Sequence, residues 1–294
     1  MNKGCALITG ASMGLGRAFA RECAARGKDL ILVALPGSGL QAVAESIEAE
    51  HGVRALALEL DLTERRGIEL VGEAMRAEGP ALDLVVNNAG LGEPGTFLDL
   101  PSEYHDDVIS LNATALVRLC RLAIEAFEGR SGCSILNVAS LGSLFPMPGM
   151  AVYSATKSFV RSFTQALRAE LAGKVAISAL CPNAFATTPE SAAYIARCGL
   201  ASKLCCLSVE RIAKAGLDGL ARGKAMIYPG GINALLALLS RFAPPSLAAL
   251  AVRRYWGGFA KKSPTLWSRR EAWEGASKGL RSGIDFSKQP GAAI

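Results

Sequence analysis

The chain is 294 residues long, half of them hydrophobic and a fifth charged, a balance that excludes an intrinsically disordered protein and predicts one α/β domain with appendages. The net charge of +6 is local: residues 241–294 hold ten Lys or Arg against three Asp or Glu, leaving 22 against 23 upstream. A near-neutral body excludes a broad nucleic-acid-binding surface, and any contact with anionic lipid is confined to the basic tail.

In chain order, the strand-like "CALIT" runs directly into "TGASMGLG", residues 9–16, which opens a helix. Gly10, Gly14 and Gly16 let backbone amides approach a pyrophosphate, and the helix N-terminus supplies partial positive charge for it. "LILVA", "ALALEL", "LDLVV", "SILNV", "VAISAL" and "AMIYP" follow as strands. Continuous apolar strands imply burial on both faces, and the stretches between them are long enough for crossover helices. The reading is a doubly wound parallel sheet of the Rossmann type.

Between these strands lie residues with chemical potential. "VALPGSGL" after the second strand offers no acidic or basic side chain, and Asp61 stands in "LDLT" after the third. "NNAG", residues 87–90, ends the fourth strand, at the carboxyl edge where parallel sheets collect ligand contacts. Helical spacing predicts helices from Ser102 to Glu128, containing Asn112, and from Ala151 to Ala172, with Gly129 and Gly173 as their stops. Ser140 follows the fifth strand. The second helix carries "YSATK", whose i, i+4 spacing points Tyr153 and Lys157 into one cleft. A phenol that works as an acid/base near neutral pH needs its pKa lowered by roughly three units, or about 4 kcal/mol. One cation about 4 Å away supplies about 4 kcal/mol at an effective dielectric of about 20.

After Tyr228 come "INALLALLSRF" and "PPSLAALAVRRYW", interrupted by Arg241, Pro244 and Pro245 and each shorter than the ~20 residues of a spanning helix. Trp256, Trp267 and Trp273 all lie in the basic tail, a composition that suits a helix covering the domain or a dimer surface, and also peripheral membrane contact. The eight cysteines form no C-x-x-C pair and no metal spacing, so reduced, buried thiols and a cytoplasmic protein are expected. His51 and His105 have no neighbours at ligand spacing; surface positions and no metal are expected.

The ordered set of the glycine turn, "NNAG", Asn112, Ser140, Tyr153 and Lys157 resembles the short-chain dehydrogenase/reductase family over roughly residues 4–190, and more loosely to about 230. The resemblance implies that Tyr153 is the general acid/base, that Ser140 hydrogen-bonds the substrate oxygen, that Lys157 binds the nicotinamide ribose and that Asn112 holds a proton-relay water. It places cofactor contacts at Gly10, Ser12, Met13, Gly14, Leu15, Gly16, Asp61, Leu62, Asn88, Tyr153, Lys157, Phe185 and Thr187. Leu35 and Met13 stand where related NADP-dependent members often carry basic residues, yet no carboxylate follows the second strand to repel a phosphate, so the sequence leans to NADP over NAD. Asn183 replaces the glycine common before the nicotinamide-contacting threonine, and asparagine tolerates left-handed backbone. Residues 189–207 match the substrate lid and are apolar, which suits a hydrophobic ketone or secondary alcohol; the likeness is greatest to members acting on 3-oxoacyl or steroid-type ketones. The expected layout is a catalytic domain over 1–230 and a helical, basic extension over 231–294, assembled as a homodimer or homotetramer. The alternative is a non-catalytic redox sensor that uses its tail to contact a partner or membrane.

Overall fold

Seven apolar runs satisfy their backbone groups by pairing with one another: β1 (Cys5–Thr9), β2 (Asp29–Ala34), β3 (Ala55–Glu59), β4 (Leu82–Asn87), β5 (Ser134–Val138), β6 (Ala176–Leu180) and β7 (Met226–Ile227). Every pairing is parallel and the order is β3-β2-β1-β4-β5-β6-β7. The order reverses between β1 and β4, which opens the ligand crevice of a doubly wound sheet at their carboxyl ends. All seven strands read from the sequence are present, displaced by no more than one or two residues at their ends. This computed structural model describes residues 4–183 and 206–240, with isolated positions between 242 and 254. Phe185, Thr187, nearly all of 189–207 and the three tail tryptophans lie outside the described residues.

Helices cover both faces. On one side α1 (Gly14–Ala25), α2 (Leu40–His51) and, late in the chain, α7 (Val209–Ala221) enclose a core that includes Phe19, Leu32, Ile47, Leu136 and Leu217. On the other, α3 (Arg65–Glu78), α5 (Leu116–Ala126) and α6 (Ala151–Glu170) enclose Leu7, Val71, Val85, Leu119 and Ile135. Alternate residues of one strand thus feed opposite cores, as Leu7 and Ile8 do in β1. The helix expected from Ser102 to Glu128 exists, but it is interrupted: α4 (Ser102–Ile109) and α5 flank a π-helical stretch over Ser110–Ala115 that contains Asn112. Gly129 and Gly173 do stop their helices, each at positive φ (72° and 78°). A short helix, α8 (Gly231–Leu239), follows β7.

Thr9 ties the two strands that border the crevice. Its Oγ1 accepts from the backbone N–H of Asn88 at 3.0 Å and of Ala89 at 2.9 Å, while Asn88 Nδ2 donates back to the Thr9 carbonyl at 2.9 Å. The Thr9 side chain is 1% exposed, so water cannot replace it. Thr9→Val keeps the shape and removes the acceptor of two amides. Urea unfolding is expected to show a loss of about 1–3 kcal/mol; an unchanged midpoint and slope would mean that the two amides find other partners.

Candidate active site

The crevice begins at the glycine turn. Gly10 and Gly14 hold positive φ (67° and 54°), where a side chain would be strained. A Cβ built on Gly16 would lie 1.9 Å from the Gly10 carbonyl oxygen, so only glycine lets α1 start this close to the turn. No side chain caps α1 and no acidic residue stands in its first turn, which leaves its leading N–H groups for an anion at the position Gly14–Gly16 occupy. Ser12 is half-buried, Leu15 is buried and Met13 projects outward. Asn88 works from behind: its amide is spent on the Thr9 and Gly10 carbonyls, at 2.9 and 3.4 Å, and fixes the turn. Asp61 Oδ1 accepts from the Thr63 N–H at 2.8 Å and its hydroxyl at 2.7 Å, which orders the segment after β3, with Leu62 buried beside it. These residues fit a dinucleotide: a side-chain-free cradle for the pyrophosphate and an ordered acidic segment for the adenosine end.

The four residues expected to carry chemistry converge at the carboxyl ends of β4 and β5. Ser140, just beyond β5, lies next to the Tyr153 phenol and favours its ionised form, and its Oγ accepts from the Gly142 N–H at 3.0 Å. Lys157 is 4% exposed, and its Nζ donates to the Val138 carbonyl at 2.9 Å. The π-helical stretch turns Asn112 toward the end of β4, where its amide exchanges two 2.8 Å bonds with the backbone of Leu91 and donates to Thr156 Oγ1 at 3.1 Å. An extra residue in a helical turn frees backbone carbonyls from the i→i−4 ladder, a recurrent device at functional sites. Space here is tight. A Cβ on Gly90 would lie 3.1 Å from Lys157 Nζ and 3.2 Å from Asn112 Oδ1, and one on Gly92 would fall 2.1 Å from Tyr153 Cδ2.

The electrostatics differ from the sequence expectation in one respect. Lys157 Nζ stands 5.9 Å from the centroid of the Tyr153 ring. Burial pushes Tyr153 above the ordinary tyrosine range, and the neighbouring Ser140 pulls it back. Burial also pushes the Lys157 ammonium down to about 8, because the charged form is the one water solvates. The positive charge of an oxidised nicotinamide, when bound, would act with Lys157 to favour the ionised phenol.

Beside the phenol opens a cleft lined by Phe97, Leu100, Tyr104, His105, Met150 and Val152 among others. Sequence reasoning missed these residues, since the loop before α4 carries no motif. Tyr104 could have been found from its place on the apolar face of α4; its hydroxyl accepts from the Glu93 N–H at 2.5 Å. His105 is a correction. It is half-buried, stacked on Phe97 with centroids 4.6 Å apart, and its Nε2 lies 3.0 Å from the Phe97 carbonyl oxygen. His51 is likewise half-buried, not on the open surface. Asn183 does not use the left-handed backbone that asparagine tolerates, and its Nδ2 donates to Asn233 Oδ1 on α8 at 3.1 Å.

Comparison with known proteins agrees with this geometry. The short chain dehydrogenase family model matches residues 4–195. Among curated relatives, human 17-beta-hydroxysteroid dehydrogenase type 3 is 35% identical over 186 residues, 62% of this chain and 59% of that protein. A very-long-chain 3-oxoacyl-CoA reductase of Phaeosphaeria nodorum is 34% identical over 170 residues, 56% of this chain and 50% of that one. The match spans 31% to 60% of the curated relatives' own length. Two solved structures align with 99% of this chain. The bulky-bulky ketone specific alcohol dehydrogenase from Comamonas testosteroni is 26% identical, with a TM-score of 0.67 and 98% of its chain covered. A short-chain dehydrogenase from Sphingobium yanoikuyae in complex with NADPH is 29% identical, with a TM-score of 0.68 and 100% covered. The ordered motifs, their convergence on one crevice and a family match over most of the chain lead to one conclusion: this chain belongs to the short-chain dehydrogenase family.

Proposed function

We propose that the protein is a nicotinamide-dependent carbonyl reductase or alcohol dehydrogenase whose substrate is a hydrophobic ketone or secondary alcohol, of the 3-oxoacyl or steroid type. The observation that carries the reading is the placing of Ser140 next to the Tyr153 phenol, beside a buried Lys157 and a cleft lined mostly by apolar side chains. A bound nicotinamide supplies hydride to the substrate carbon. In that direction Ser140 positions the carbonyl oxygen, and Tyr153 hands it the phenolic proton as negative charge develops there. Lys157 would hold the ribose, and Asn112, through the π-helical turn, would hold the water that returns the proton. Gly10, Gly14 and Gly16 would seat the pyrophosphate. Phe97, Leu100 and Val152 exclude water from the apolar part of the substrate.

Assembly and location belong to the same proposal. A homo-oligomer is supported by Phe159 on α6, which is 44% exposed and stacks on Phe163. Peripheral membrane contact is supported by Leu235, Leu238 and Leu239 of α8, each more than half exposed, ahead of the basic tail. Among the described residues no helix is long and apolar enough to cross a membrane. Cys5, Cys23, Cys120, Cys133 and Cys181 are buried thiols, which suits a reducing cytoplasm.

Tyr153→Phe is expected to lower kcat at least about a hundredfold on any ketone the protein reduces, with cofactor affinity held within about threefold. Tight NADH or NADPH binding by the native protein, without turnover on a broad ketone panel, would point to a redox sensor instead. Light scattering with and without anionic vesicles should show a dimer or tetramer that associates with lipid through residues 241–294; a monomer, or vesicle binding unaltered by deleting the tail, would count against these two parts. The buried ammonium predicts a pH signature. Lys157 holds its proton less tightly when folded than the ordinary lysine value of 10.5, so between about 8 and 10.5 the unfolded chain binds more protons and stability rises with pH. Relative to Lys157→Met, the native chain should gain about 3 kcal/mol across that window in denaturant unfolding; parallel curves would show that the ammonium is not desolvated.

A further inference from the structure

We propose that Glu59 sets the dinucleotide preference of this protein, selecting NADH over NADPH by disfavouring a 2′-phosphate. The inference rests on the dinucleotide-dependent reading above and deepens it.

In a doubly wound sheet the adenosine ribose lies at the carboxyl end of β2. The segment that leaves β2 here, Leu35–Gly39, contains no ionisable side chain. Leu35 within it and Met13 in the glycine turn are apolar and 47% and 54% exposed, so neither offers a cation to a phosphate. The parallel register pairs Ala34 with Glu59, the last residues of β2 and β3, and neighbouring strands lie about 4.8 Å apart. From that position the Glu59 carboxylate reaches across to the segment after β2: Oε2 accepts from the Gly37 N–H at 3.0 Å and Oε1 from the Leu40 N–H at 3.2 Å.

Two effects follow. A carboxylate stands under the segment that borders the ribose, and the two backbone donors nearest the start of α2 are already satisfied by it. A ribose 2′-hydroxyl is neutral and tolerates this neighbour. A 2′-phosphate monoester, with a charge of about −1.5 to −2 near neutral pH, meets repulsion there and finds two amides already engaged. The sequence leans to NADP because the residues after the second strand include no carboxylate. The fold brings one in from the third strand, 25 positions beyond Ala34 in the chain.

The test is direct binding of NADH and of NADPH to the full-length protein by isothermal titration calorimetry, at low and high salt, for the native protein and Glu59→Gln. NADH is expected to bind at least about tenfold more tightly at low salt, and the ratio should shrink as salt screens the partly exposed charges. Glu59→Gln removes the charge while keeping an acceptor; it should raise NADPH affinity and bring the ratio within about threefold, with NADH affinity unaltered. The assignment is overturned if the native protein binds NADPH as tightly as NADH, if the ratio ignores salt, or if a folded Glu59→Gln retains the native ratio. Should that variant not fold, the salt dependence of the native protein decides. Failure of both nucleotides to bind would remove the dinucleotide reading itself, whereas equal binding of the two removes only the role of Glu59.

Discussion

The Lys157 ammonium is almost wholly withdrawn from water and donates to the Val138 carbonyl at the end of β5. Desolvating a cation is costly, and the protein meets that cost with one backbone acceptor and a depressed proton affinity. The bond joins α6 to the carboxyl end of β5, next to the residue pair Ser140 and Tyr153 that would act on substrate. It therefore does two things at once: it sets the rotation of α6 that aims the phenol into the crevice, and it keeps a positive charge where a ribose and a nicotinamide would lie.

The same helix shows how little slack surrounds the phenol. Gly92 has no Cβ because Tyr153 fills that space, and Gly90 has none because Lys157 and Asn112 do. Thr156, one position before Lys157, receives the Asn112 amide and donates to the Tyr153 carbonyl at 2.8 Å. The π-helical turn, the start of α6 and the loop after β4 thus lock one another, and precise placement of this kind is what lets a proton and a hydride reach adjacent atoms. Burial raises the proton affinity of the phenol and the neighbouring Ser140 opposes it, so lysine is not its only influence. Serine, lysine and the charge of a bound cofactor would share the task.

On the proposed reading, specificity would lie at the two ends of the crevice, on elements with less constraint. At the substrate end, Phe97, Leu100, Tyr104 and Val152 come from a loop, from α4 and from the first turn of α6. At the adenosine end the contributors would be the segment after β2 and the final residue of β3, which are hydrogen-bonded to each other. Both sites are assembled from stretches distant in the chain. This is the usual arrangement when a rigid sheet presents variable loops.

The amino-acid sequence alone determined the sheet, because seven continuous apolar runs separated by helix-length stretches leave few other ways to bury so much apolar backbone. It also pointed to the candidate site residues, since glycines at a turn and a Tyr–Lys pair one helical turn apart are local patterns whose geometry is fixed by φ and by 3.6 residues per turn. Tertiary structure alone decided where those side chains finish. Nothing local indicates that Lys157 spends a bond on Val138, that Asn112 sits in a π-helical turn, that His105 stacks on Phe97, or that Glu59 reaches Gly37 and Leu40. The Lys157 and Glu59 bonds depend on strand register and helix packing between residues about twenty positions apart, and such contacts are set by the burial of the whole domain, beyond what a short window of residues encodes.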